Sequence, residues 1–136
     1  MAEDFRQPQG EWSALEALEA RIARGEKLTL EEGIRDLLRK VGHQVALAPE
    51  YVAERLRSVD GAEALVREES ARITTGSQAL SDAILAAWKH ARAGNPEEGY
   101  AALAHLIQTE AVPWYRECAR RERERIKAWV EATRTP

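Results

Sequence analysis

Between Leu65 and Ala91 the inward positions Leu65, Glu69, Ile73, Gly76, Leu80, Ile84, Trp88 and Ala91 follow one another in steps of three and four. Such steps place residues along one stripe of an α-helix, whereas a strand would scatter them over both faces. The phase does not break at Gly76 and Ser77, so the spacing predicts one long helix over Gly61–Ala93 rather than two short ones. Small residues in its middle leave room for a crossing helix. A rod of this kind must cover its stripe with other helices, and the remaining sequence is patterned to supply them.

Before the rod, Trp12, Leu15, Leu18 and Ile22 form one apolar stripe of a helix over Glu11–Arg24, with Gly25 placed to stop it. Thr29 and Glu32 have capping-box spacing ahead of a second helix, Leu30–Val41, with Ile34, Leu37, Leu38 and Val41 inward and Gly42 as its end. Gly33 inside that helix suggests close approach of another backbone. His43–Ala48 reads as a short connector. Pro49 suits the first position of a third helix, to about Ser58, with Val52 and Leu56 inward, although Ala48 caps poorly. Asp60 and Glu63 repeat the capping-box spacing at the start of the long helix.

After the rod, Gly94 is a stop and Asn95-Pro96 a start, so a fifth helix, Pro96–Thr109, forms a hairpin with the fourth. Tyr100, Leu103, Leu106 and Ile107 face inward. Pro113 either kinks the run or opens a final helix to about Ala132, with Trp114, Tyr115, Cys118, Ile126 and Trp129 as apolar points. The expected fold class is all-α: a compact bundle of five to six helices with one long central helix and a C-terminal helical hairpin. Residues 11–133 are read as one domain, 1–10 as a flexible leader and 134–136 as a tail.

Composition agrees with a packed domain: 44% of the 136 residues are apolar and 32% charged. No apolar run approaches the length of a bilayer span, and Met1–Gly10 lacks the basic start and apolar run of a secretory signal, so a cytoplasmic protein is expected. Cys118 is the only cysteine, which excludes an intrachain disulfide and the cysteine-pair zinc patterns. The net charge of −3 gives no general attraction to nucleic acid, but it is uneven. Residues 113–136 hold seven Lys and Arg against four Glu.

Catalytic and metal-binding patterns are missing. His43, His90 and His105 are preceded three residues earlier by Lys40, Ala87 and Ala102, so neither a Glu-x-x-His pair nor a His-Glu-x-x-His motif exists. Gly25-Glu26-Lys27 lacks the first glycine of a phosphate-binding loop, and no serine lies in a Gly-x-Ser-x-Gly turn. Cys118, among Glu117, Arg120 and Arg121, reads as a small core residue in preference to an activated thiolate. No enzyme activity, metal or cofactor is expected. Residues 30–57 imitate a helix-turn-helix, but the link from Gly42 to Ala48 is long and the charges cancel, five against five. Residues 91–107 imitate a tetratricopeptide turn, without a second copy.

Several segments together resemble a known family: Ala23-Arg24-Gly25-Glu26-Lys27-Leu28-Thr29-Leu30, Val45-Ala46-Leu47 before Leu56-Arg57-Ser58, Ile73-Thr74-Thr75-Gly76-Ser77, Ala91-Arg92-Ala93-Gly94-Asn95 and Glu110-Ala111-Val112-Pro113-Trp114-Tyr115-Arg116. In order and spacing, from about Trp12 to Arg121, the chain resembles the DUSAM family, a domain of unknown function described from fruiting-body-forming soil bacteria. The resemblance implies a bacterial cytoplasmic origin and supplies no active site. The chain departs from the family at Ala48-Pro49, where a serine followed by acids is expected, and runs on past the family's usual end near Glu122.

The favoured reading is a non-enzymatic helical interaction module with an unknown protein partner, a homodimer being one form. Four tryptophans without a reaction centre carry it, since such residues are enriched at interface hot spots. Trp129, Trp12 and Ile126 are the candidate interface residues. The alternative is nucleic-acid or anion binding by Arg116, Arg120, Arg121, Arg123, Arg125 and Lys127 on the final helix. It ranks second because Glu117, Glu122 and Glu124 interleave with them. No membrane partner is expected.

Overall fold

Helix α4 runs unbroken from Val59 to Arg92 in the computed structural model, which describes residues 8–134. Every position of the long stripe is buried or half-buried, including Glu69 and Gly76. Ser58, not Asp60, supplies the cap: its Oγ accepts a hydrogen bond from Gly61 N at 2.9 Å. Glu63 is spent elsewhere, accepting from Leu28 N at 3.3 Å. The other helices are α1 (Gln9–Ala23), α2 (Glu32–Gln44), α3 (Pro49–Arg55), α5 (Pro96–Thr109) and α6 (Pro113–Arg134). No strand occurs among the described residues, so the chain is all-α. Residues 1–7 of the expected leader and 135–136 of the expected tail lie outside the described residues, while Gln9 and Gly10 already belong to α1.

Three helices end by the same device. In each, the residue two beyond the helix takes a left-handed conformation, and the last turn's carbonyls accept from the amides that follow. After α1, Gly25 (φ 92°) is that residue, with Glu26 N bonding Arg21 O at 3.1 Å. After α4 it is Gly94 (φ 91°), with Asn95 N bonding His90 O at 2.8 Å. After α2 it is Ala46 (φ 63°), with Leu47 N bonding Gly42 O at 2.8 Å and Ala46 N bonding His43 O at 3.2 Å.

The two glycines of α2 therefore exchange the roles expected of them. Gly42 does not end the helix. It is buried in the last turn, where an added Cβ would lie 2.8 Å from Val52 Cγ2 of α3. Gly33 is exposed with nothing within 4 Å of such a Cβ, so no backbone approaches it. Because α2 reaches Gln44, the link to α3 is only Val45–Ala48, short enough for a helix-turn-helix. The balanced charge of the segment and the acid at Glu50 in the first turn of α3 still oppose DNA reading. The Thr29–Glu32 capping box does not form either: Glu31 occupies the cap position without a side-chain bond.

Contacts divide the chain into two compact units, one reaching to Thr74 and the other starting at Thr75, with α4 contributing to both. In the N-terminal unit, Leu15, Leu38, Val41, Val45, Leu65 and Val66 are almost wholly buried. Trp12 Nε1 donates to Gln44 Oε1 at 2.9 Å, tying α1 to α2. In the C-terminal unit, Ala87, Leu103, Leu106, Ala119, Ile126 and Val130 form the core. There α6 begins anew at Pro113, and Tyr115 packs its ring against Gly76, as the small residues in the middle of the rod foreshadow.

Candidate functional site

Two tryptophans of the C-terminal unit meet where α4 and α6 pack together. Trp88, an inward position of the rod, stands edge-on to Trp129 with ring centroids 5.7 Å apart and planes at 72°. Edge-to-face pairs satisfy the ring quadrupoles and add about 0.5–1.5 kcal/mol beyond the area they bury. Trp88 Nε1 donates to Glu122 Oε2 at 2.6 Å, so the polar tip of the indole is satisfied on α6. The Arg92 guanidinium lies 5.3 Å from the Trp88 ring centroid, and Lys127 Nζ lies 5.8 Å from that of Tyr100. Trp129 is 36% exposed, and Leu85, one turn before Trp88 on α4, is 70% exposed. The outcome is an aromatic pair whose inner indole is held by Trp129, Glu122 and Arg92.

The structure treats the three candidate interface residues differently. Trp129 is on the surface. Trp12 is half-buried in the N-terminal unit and engaged with Gln44. Ile126 is fully buried in the core of the C-terminal unit and offers nothing to a partner: its position on α6 faces inward, where its whole side chain contributes to burial.

The basic residues of α6 are largely occupied by neighbouring carboxylates. Arg121 lies 4.0 Å from Glu117, Arg125 3.5 Å from Glu122, and Lys127 3.5 Å from Glu124. Arg123 is half-buried, its Nε shielded from solvent and 3.9 Å from Glu124, too far for a hydrogen bond. Arg120 is exposed and Arg116 half-buried. Anions approaching α6 would meet interleaved acids, which weaken the field that a phosphate backbone requires.

Cys118 is half-buried, and burial pushes its thiol up, with Arg121 opposing and Glu117 and Glu122 reinforcing the shift. That is the reverse of what an activated nucleophile needs. Among the described residues, no group of three or more His, Cys, Asp and Glu is placed to hold a metal ion, and no helix is long and apolar enough to cross a membrane.

A second unusual group lies in the N-terminal unit. Among the described residues, Glu69 is the fully buried ionisable side chain, and neither of its carboxyl oxygens has a hydrogen-bond partner. Burial pushes its carboxyl up to about 9, and the charge of Glu68 adds to the shift. Its place on the apolar stripe was a signal already present in the sequence: a glutamate in phase with Leu65 and Ile73 must face the interior.

Comparison with protein families matches residues 10–126 to a protein family of unknown function, DUF2379. The chain belongs to the DUF2379 family. The DUF2379 match takes in all of α2 to α5 and the part of α6 that holds Glu122 and Ile126, so it reaches beyond the end near Glu122 that the sequence resemblance suggests. It stops short of Trp129, so the outer partner of the aromatic pair lies beyond the matched stretch. No curated protein and no solved structure matches the chain.

Proposed function

We propose that this DUF2379 protein is a non-enzymatic interaction module that binds another protein through the Trp88–Trp129 face of its C-terminal unit. The observation that carries the reading is an exposed tryptophan already fixed in place. Trp129 rests against Trp88, which is held in turn by Glu122 and by Arg92. A rigid aromatic anchor loses little conformational entropy on binding, which is why such residues dominate interface energetics. Leu85 is a further exposed apolar side chain on α4, and Arg92 over the Trp88 ring places a cation at the pair, which favours a partner with acidic side chains around an apolar centre.

The DUSAM resemblance is compatible with this reading. Its span from about Trp12 to Arg121 falls inside the DUF2379 match, and the bacterial, cytoplasmic origin that the resemblance implies is part of this proposal.

The test is affinity capture from cell extract with the intact chain, compared with Trp129→Ala and Trp12→Phe, together with sedimentation of the purified proteins. Trp129→Ala is expected to weaken the captured partner, or self-association if the partner is a second copy, by about tenfold or more, in the range of an aromatic hot spot. Trp12→Phe should leave both unchanged. Equal binding by the wild type and Trp129→Ala would move the interface elsewhere.

A further inference from the structure

Glu69 lies where three helices of the N-terminal unit meet. An added Cβ at Gly42 of α2 would lie 3.1 Å from Glu69 Oε2 and 2.8 Å from Val52 Cγ2 of α3, so the missing side chain makes room for both. The carboxyl is fully buried and neither oxygen has a hydrogen-bond partner. A carboxylate cannot be kept cheaply in such a place, and a buried acid of this kind holds its proton instead.

No cation faces the group to stabilise its charge. On α4, its neighbour Glu68 is a like charge and accepts a hydrogen bond from Tyr51, while Arg72 donates to Val45 O at 2.8 Å. On α3, Arg55 is turned to the Tyr51 ring and hydroxyl. On α2, Lys40 and His43 beside Gly42 are exposed, and on α1 Glu19 accepts from Ser70.

Of the elements around Glu69, α3 is the shortest. It has seven residues and no side-chain cap at Ala48. Its Pro49, Val52 and Ala53 border an open hollow of about 150 Å³ shared with Arg39, His43 and Leu47, which gives water a place beside the close Gly42–Val52 contact. It is held by burial of Val52 and Leu56, the Tyr51–Glu68 bond, and Arg35 Nη1 donating to Leu56 O at 3.2 Å.

We propose that Glu69 is a proton-controlled latch for α3: protonated, it fills the junction as a neutral group, and deprotonated, it draws water in and α3 separates from α4. The direction with pH follows from the two states of the chain. The folded-state carboxyl, pushed up to about 9, keeps a proton that the unfolded chain releases near the ordinary 4.5. The destabilisation is therefore absent below the unfolded value, grows as pH climbs, and levels off above the folded value.

The experiment is urea unfolding of the intact chain and of Glu69→Gln across pH 5 to 10, with amide hydrogen exchange resolved by helix. Between pH 5 and 9 the wild-type unfolding constant should rise about a hundredfold or more relative to Glu69→Gln. In the wild type alone, α3 amides should lose protection at alkaline pH ahead of those of α1 and α5. Parallel pH profiles, or protection lost equally in α1 and α3, would overturn the latch. Carbon-13 NMR of the glutamate carboxyls in the unmutated protein gives an answer that does not depend on a variant folding. A Glu69 carboxyl still protonated at pH 7 is the expected result, and titration near 4.5 refutes the proposal.

Discussion

Ala46 shows how much one residue's conformation decides in this chain. At φ 63° it holds a left-handed backbone that costs a residue with a Cβ about 1–2 kcal/mol. The strain is offset locally, because the turn lets Leu47 N and Ala46 N satisfy carbonyls at the end of α2 and aims Val45 O at Arg72. Glycine would adopt the same turn without strain but would gain freedom in the unfolded chain, a partial offset of about 0.4–1 kcal/mol. Ala46→Gly is therefore expected to raise stability by about 0.5–1 kcal/mol, measured as a higher urea midpoint at constant slope. A lower midpoint would mean that the turn after α2 is not left-handed. The same residue explains what the sequence concealed. Gly25 and Gly94 advertise their stops, whereas an alanine in that role carries no composition signal, and Gly42 drew the expected stop to itself. Glu69 was legible in position but not in consequence, since spacing shows that it points inward and only packing shows that no donor or cation meets it.

At the scale of elements, periodicity carried most of the information. The three- and four-residue steps foretold α4 as one helix because a stripe that stays in phase needs no break, and Pro96 and Pro113 marked the starts of α5 and α6 because proline suits the first turn. Caps were less legible. Thr29, Asp60 and Asn95 have the right chemistry, yet Ser58 makes the cap of α4 and Asn95 sits at the cap of α5 without a side-chain capping bond. Their positions shift by a residue or two once tertiary contacts compete for the same groups, as when Glu63 turns to Leu28. Packing at Gly76 was foreseeable from its size. An added Cβ there would overlap the Tyr115 ring and approach Glu110 Oε2 at 2.8 Å. Tyr115 has little room to yield, being buried enough that its hydroxyl is pushed up to about 12 despite a bond with Ser77. Gly76→Ala should lower stability by about 1–3 kcal/mol, even though alanine is the better helix former. Calorimetry would check it, and a rise in melting temperature would show that α6 does not rest on α4 at that point.

For the whole molecule, the consequence of this architecture is that one helix serves two cores. Leu65 and Val66 are buried in the N-terminal unit, Ala87 and Ala91 in the C-terminal one, and the division falls between Thr74 and Thr75. Both threonines are exposed, so their side chains add little to either core. Proline at position 75 would remove the hydrogen bond to the Ala71 carbonyl and clash with it, costing about 3 kcal/mol or more in a helix interior. Because no buried side chain changes, that cost is chargeable to helix continuity itself. The tryptophans allow each unit to be followed separately, since Trp12 lies in the first while Trp88, Trp114 and Trp129 lie in the second. Thr75→Pro is expected to lower the unfolding midpoint seen by Trp12 in a protein whose other three tryptophans are phenylalanine, and also that seen by the other three when Trp12 is phenylalanine. A variant that unfolds at the wild-type midpoint by both probes would show that α4 is not continuous through Thr75, and the two cores would then have to be treated as the products of two helices.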